Sequence, residues 1–91
     1  MKVPAIPFDV AQPPSLVEVM EALQVQGYDY TLKWRSRKGK FRAMVWHPMW
    51  AGLPSQGRPI KYHVQPEMAL ALAWAAALAW YGRHAHVAGA A

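Results

Sequence analysis

The segment from residue 68 to residue 81 carries no charged side chain, so a helix built from it is apolar on every side. These fourteen residues are too few to cross a bilayer, which needs about 20. A helix of this kind is normally buried by the rest of its fold. Pro66 and Glu67 precede the segment and favour a helix start, whereas Gly82 follows it and predicts the helix end. We therefore expect a last helix from Pro66 to about Tyr81, and no membrane partner.

The two sides of this last helix predict different contacts. One apolar stripe faces the sheet at 100° per residue, and it consists of Leu70, Trp74, Leu78 and Tyr81. The opposite side is apolar too, and its removal from water favours a homodimer. The alternative is a monomer, because alanine tolerates exposure and favours helix. The predicted dimer interface consists of Leu72, Ala76, Ala79 and Trp80.

A first helix is predicted from Pro14 to Gly27. Ser15 and Glu18 have the spacing of a capping box, in which the hydroxyl and the carboxylate each satisfy a free backbone donor. Gly27 suits the end of the helix. Residues 1–13 contain three prolines and predict an extended arm. The apolar stripe of this helix consists of Leu16, Val19, Met20 and Leu23.

Three strands are predicted between the helices. Polar and apolar residues alternate from residue 28 to 35, a polar turn covers Ser36–Lys40, and a second strand runs from Phe41 to about His47. A loop of about a dozen residues, 48–59, then leads to a third strand at 60–65. The side chains expected to face the helices are Tyr28, Tyr30, Leu32, Trp34, Phe41, Ala43, Val45, Ile60, Tyr62 and Val64.

The element order α-β-β-β-α predicts an α+β fold, a two-layer sandwich. Neighbouring strands joined by short turns pair antiparallel, so we expect a three-stranded antiparallel sheet with both helices on one face. The chain is short enough for one domain, which we place at residues 14–82. Residues 1–13 are the arm, and residues 83–91 are expected to form a flexible tail.

Positive charge concentrates in the first hairpin. The chain has ten Lys and Arg against five Asp and Glu, and six of the ten cations lie between Lys33 and Arg42 with no acid among them. Cations with interleaved aromatic residues favour binding of nucleic acid or of an acidic protein surface. The alternative is a solvated face whose lysines prevent edge-to-edge aggregation. The predicted partner-binding residues are Lys33, Arg35, Arg37, Lys38, Lys40, Arg42, Trp46, Trp50, Lys61 and His63.

Trp50 lies in the long loop, where it is either a recognition anchor or packed back onto the sheet. Other residue types argue against catalysis and cofactors. The chain has no cysteine, no nucleophile elbow and no glycine-rich phosphate loop. His84 and His86 lack a third ligand at a metal-site spacing, and His47 suits a turn. We expect a non-enzymatic, cytoplasmic protein without metal or cofactor.

The order of elements resembles that of double-stranded-RNA-binding domains, with residues 14–27 and 65–81 in the places of that family's two helices. The family grips phosphates with a lysine cluster at the start of its last helix. Here the corresponding residues, Gln65 to Ala69, include one acid and no cation. This departure argues against duplex RNA binding in the manner of that family.

The chain is also similar to small accessory proteins of bacteriophages and prophages, in which a strand leads into a final helix rich in Ala and Leu, as at residues 64–73 here. That resemblance implies a phage-type inhibitor or adaptor that binds and blocks a host protein, for example a defence-system component, through its basic and aromatic sheet face. The alternative function is nucleic-acid binding through the hairpin from Lys33 to Arg42 and the outer face of the sheet. A third hypothesis is an assembly component that only self-associates.

Overall fold

A computed structural model of the chain describes residues 14–53 and 57–89. The arm predicted over residues 1–13 lies outside the described residues. The α+β class and the order α-β-β-β-α are confirmed. The elements are α1 (Leu16–Val25), β1 (Asp29–Arg35), β2 (Lys40–Trp46), a short 3-10 helix (Pro48–Trp50), β3 (Lys61–His63) and α2 (Pro66–Gly89).

Local signals fix both ends of α1. The Ser15 hydroxyl accepts a hydrogen bond from the Glu18 backbone N–H at 3.2 Å, and the Glu18 carboxylate accepts from the Ser15 N–H at 3.3 Å, which is the predicted capping box. At the other end Gly27 has φ +80°, a conformation that favours glycine. The next residue, Tyr28, donates back to the Leu23 carbonyl at 2.9 Å and so terminates the helix.

The sheet has the order β1-β2-β3, and both pairings are antiparallel. The turn between β1 and β2 closes on the carbonyl of Arg35, which accepts from Lys38 and Gly39 at 3.0 and 2.9 Å. Side chains on β1 and β2 alternate as the sequence predicts. Ala43 and Val45 are fully buried beneath the helices, so the other side of β2 faces away from them. We call these two sides the covered face and the bare face of the sheet.

The predicted orientation of β3 is wrong. Tyr62 lies opposite Arg42, while Lys61 and His63 lie opposite Ala43 and Phe41. Directly opposite residues of an antiparallel pair point to the same side, so Tyr62 is on the bare face and Lys61 and His63 are on the side of the covered face. The strand has only three residues, and a shift of one residue in register exchanges the faces.

The predicted end of α2 at Gly82 is also wrong, because the helix continues to Gly89. Contacts across the glycine hold the extra turns to the preceding ones. The His84 ring stacks on Trp80 with centroids 4.3 Å apart, and its Nδ1 donates to the Trp80 carbonyl at 2.8 Å. A glycine inside a helix costs about 1 kcal/mol of stability relative to alanine, so the sequence favoured a helix end at Gly82. The hydrophobic pattern does not reveal the contacts of His84 that offset this cost.

The amino-terminal half of α2 is buried within the single chain. Met68, Ala69, Leu70 and Ala71 are all buried, and four consecutive residues cover one full turn. Strands β2 and β3 cover one side of this helix and α1 contributes to another. The amino-terminal half of α2 therefore exposes less apolar surface to a partner than a helix that is covered only by a sheet. None of the helices in residues 14–53 and 57–89 is long and apolar enough to span a membrane.

Aromatic side chains form the core at the end of the sheet far from the first hairpin. Trp50 is only 6% exposed and stacks on Tyr81, with centroids 4.8 Å apart and an interplanar angle of 13°. Trp80 is 1% exposed and lies 5.7 Å from Trp50. The structure thus selects inward packing for Trp50, and the prediction that Trp80 faces outward is wrong. Trp80 lies about 80° around the helix from Leu70, close to the direction of Ala73, at 100° per residue.

Candidate functional site

Four cations form a compact array on the bare face beside the first hairpin turn. The array arises because β1 and β2 each place a cation on this face at alternate positions. Lys33 pairs directly with Arg42, and Arg35 pairs directly with Lys40. We call these residues, Lys33, Arg35, Lys40 and Arg42, the cation quartet. Three of them are exposed, and Arg42, in the central strand, is half-buried.

The quartet is electrostatically unfavourable in the free protein. Like charges placed directly opposite each other on a sheet are destabilising, and here both neighbouring rows contain such a pair. The sequence supplies no local compensation, because residues 30–66 contain eight Lys and Arg and no Asp or Glu. An anion bound across both rows would relieve this repulsion.

An aromatic ring adjoins the quartet on β3. Tyr62 lies beside Arg42 on the bare face and is 36% exposed. The Lys38 ammonium lies 4.2 Å from the centroid of this ring, a cation–π contact. Lys38 belongs to the hairpin turn, so this contact draws the charge of the turn toward the bare face. Arg37, its neighbour in the turn, is exposed.

The other half of the bare face has a different character. Thr31 pairs with Met44, and Asp29 pairs with Trp46 at the end of the sheet. Met44 and Trp46 are half-buried. The bare face therefore has a basic half near the turn and an uncharged half that ends at one carboxylate.

A cleft lies along the outer edge of β1, at the same end as the quartet. Its volume is about 260 Å³, and its lining is the continuous segment from Lys33 to Arg37. This segment includes Trp34, which points to the covered face but is 51% exposed. The Trp34 ring meets Phe41 edge to face, with centroids 4.9 Å apart. β1 is an edge strand, so no further strand pairs with it on its outer side.

The predicted partner-binding residues separate into three groups. The quartet, Arg37 and Lys38 lie together at the hairpin, whereas Trp46 lies at the far end of β2, where it is half-buried and packs against the core. Lys61 and His63 are on the opposite side of the sheet. Trp50 is buried in the core. The sequence did not predict that Tyr62 lies on the bare face, because three residues are too few for alternation to show which side chains point to which face. It also did not predict the exposure of Trp34, for which the cations on either side, Lys33 and Arg35, were the available indication.

The histidines near the sheet hold backbone turns. His47 accepts a hydrogen bond at Nδ1 from the Met49 N–H at 3.1 Å, so its Nε2 carries the proton and donates to the Gln26 carbonyl at 3.0 Å. His63 accepts at Nδ1 from the Gln65 N–H at 3.0 Å. Within the described part of the chain, no three His, Asp or Glu side chains are grouped as metal ligands would be.

Three of the four residues predicted for a dimer interface lie on the outward side of α2. Leu72, Ala76 and Ala79 are half-buried, whereas Trp80 belongs to the core. Any contact between two copies through this side of the helix would therefore involve a narrow stripe of small residues. Self-association stays a prediction.

No protein-family model matches the chain, and searches of curated proteins and of solved structures found no match.

Proposed function

We propose that this protein binds nucleic acid through the basic half of the bare face, using the cation quartet to contact phosphates. The observation that carries the proposal is the direct pairing of Lys33 with Arg42 and of Arg35 with Lys40. A polyanion places negative charge along a line, and this array places positive charge in two adjacent rows. Binding neutralises phosphates, releases their counterions and removes the repulsion between the paired cations.

The arrangement of charge along the sheet supports this function. The acid nearest to the quartet on β1 is Asp29, at the opposite end of the strand. The exposed ring of Tyr62 lies within the basic half, and Lys38 adds a cation from the turn. Basic strands that also carry an aromatic ring are suited to contact the phosphate backbone of a nucleic acid, and such binding does not depend on the base sequence.

The experiment is a fluorescence-anisotropy titration of labelled DNA and RNA strands, single and double, between 50 and 200 mM salt. Four phosphate contacts predict a plot of log K against log salt with a slope of about −3 to −4, since each contact contributes about −0.7 to −0.9. The test variant is Lys33→Ala with Arg35→Ala. It should bind at least about tenfold more weakly, and the magnitude of the slope should decrease by about 1.4 to 1.8 because two contacts are lost.

The matched control is Lys61→Ala with Arg83→Ala. It removes the same two kinds of side chain, both exposed, from the side of the covered face and from the distal part of α2. The control should bind as the unmodified protein does. Equal losses in the two variants, or no binding at 50 mM salt, would refute the proposal.

A second candidate function is binding to the acidic surface of a host protein, as a phage-type inhibitor would. The observation that favours it is Met44, an apolar side chain that is partly exposed on the uncharged half of the bare face. Trp46, at the end of the same strand, packs against the core. Met, Trp and Arg are the residue types enriched in protein interfaces. Trp50 and Trp80 do not support this second function, because both side chains are buried in the core.

A pull-down from a bacterial lysate, with and without nuclease, separates the two functions. Protein capture that survives nuclease and is lost in a folded Met44→Ala variant supports the second function. Capture that needs nucleic acid and is lost in Lys33→Ala with Arg35→Ala supports the first.

A further inference from the structure

We infer that the cleft along the edge of β1 binds one base of a single-stranded nucleic acid, stacked on Trp34, while the surrounding cations hold its phosphates. This inference rests on the proposed function and specifies its ligand as single-stranded. The observations that carry it are the Trp34 side chain, which is 51% exposed, and the adjoining cleft, which this residue lines together with three cations.

Trp34 is more exposed than the other β1 residues that point to the covered face. Tyr30 and Leu32 point the same way and pack against the core, as the pattern predicts. Trp34, two residues further on, remains half exposed and has Phe41 as its aromatic neighbour. Because half of the Trp34 side chain is exposed to solvent, the indole ring is accessible to another planar group. A large aromatic ring kept in water at the edge of a basic cluster is characteristic of a stacking platform.

The charge of the cleft fits a nucleotide. Lys33, Arg35 and Arg37 are exposed cations within the lining, and Ser36 adds a hydroxyl. Lys33 and Arg35 also belong to the quartet on the bare face. A strand that follows the quartet therefore meets the cleft directly, and a base that turns around the edge of β1 reaches Trp34 without losing its phosphate contacts.

Stacking on Trp34 selects single strands. In a duplex each base is covered by its neighbours, and extracting one costs a few kcal/mol. In a single strand the base faces are available, and every base has one, so the cleft accepts any sequence. Duplexes would contact the quartet only through their backbones.

The first experiment compares three ligands on the unmodified protein at 50 mM salt. They are a thymidine strand of about ten nucleotides, an abasic strand of the same length and charge, and a duplex of about ten base pairs, lengths within the range that small sheet domains cover. We expect the thymidine strand to bind about 5- to 150-fold more tightly than the abasic strand, the factor that loss of one stacked base implies. We expect the duplex to bind more weakly than the thymidine strand.

The second experiment uses Trp34→Ala, with Trp34→Phe as the conservative variant and thermal unfolding as a check that both fold. The alanine variant should bind the thymidine strand about 5- to 150-fold more weakly, and the abasic strand with unchanged affinity. The phenylalanine variant should restore most of the loss.

Two results would overturn the inference while leaving the proposed function in place. One is equal binding of the thymidine and abasic strands, and the other is a duplex that binds as tightly as the single strand, provided that Lys33→Ala with Arg35→Ala still weakens each. If no nucleic acid binds at all, the inference fails together with the proposed function. The comparison of strands needs no variant, so it tests the inference even if Trp34→Ala does not fold.

Discussion

Replacing Lys33 with glutamate should make the free protein more stable and its nucleic-acid binding weaker. Lys33 lies directly opposite Arg42 and two residues before Arg35 on the same face. The substitution converts a repulsive cross-strand pair into an attractive one without changing the strand, since lysine and glutamate are both only mildly unfavourable there. Stability and binding are therefore expected to move in opposite directions.

The size of the effect follows from the spacing of the pair. Opposed side chains begin about 4.5–5.5 Å apart, and two unit charges at 5.5 Å interact by about 0.8 kcal/mol in water. Removing one such repulsion and adding one attraction gives about 1 kcal/mol after salt screening and side-chain entropy. For a domain of this size that raises Tm by about 4–8 °C.

The assay is thermal unfolding followed by circular dichroism at low salt and again at 1 M salt. The matched control is Lys61→Glu, which makes the same change in net charge at an exposed strand lysine whose opposite neighbour is Ala43. The control should gain much less stability, and the gain in Lys33→Glu should shrink at 1 M salt, where the Debye length is about 3 Å. A double-mutant cycle with Arg42→Gln isolates the coupling between the two strands.

A Lys33→Glu variant no more stable than Lys61→Glu, or a cycle without coupling to Arg42, would contradict this prediction. In that case the quartet would not be repulsive in the free protein. Binding of an anion would then bring no relief of repulsion between the paired cations.

Three further predictions concern the helices and use thermal unfolding or sedimentation. Gly82→Ala should stabilise the protein by about 0.5–1 kcal/mol, because Gly82 is inside α2 and a Cβ there meets nothing within 4 Å; a loss of stability would place the helix end at Gly82. Gly27→Ala should destabilise by about 1–2 kcal/mol, since φ is +80° and the new Cβ would lie 3.3 Å from His47 Nε2; an unchanged Tm would contradict this. Ala76→Glu should convert a dimer into a monomer at micromolar concentration, and an unmodified protein that sediments as a monomer would exclude the interface on α2.

The first hairpin illustrates how far alternation alone predicts a site. β1 and β2 are joined by a four-residue turn that fixes their register, and each has seven residues over which the period of two is unbroken. The sequence therefore places Lys33, Arg35 and Arg42 on one face correctly. It does not distinguish Trp34 from the buried residues before it, because exposure depends on how far the helices extend over β1.

β3 shows the opposite case. Its three residues, Lys61, Tyr62 and His63, follow a long connection, and hydrophobicity alone would place Tyr62 inside. Pairing with β2 decides otherwise, and Tyr62 joins the cations. This pairing is a contact between residues far apart in the sequence, which a local pattern does not encode.

Local patterns were sufficient to predict three features: the capped first helix, the hairpin with its cations on one face, and an uncharged helix after Pro66. Tertiary packing decided the rest. It packed Trp50 and Trp80 into one aromatic core and, through the pairing of β3 with β2, placed Tyr62 on the bare face. The physical reason is that hydrogen bonding and alternation act between near neighbours, whereas burial depends on which distant surfaces come together to exclude water.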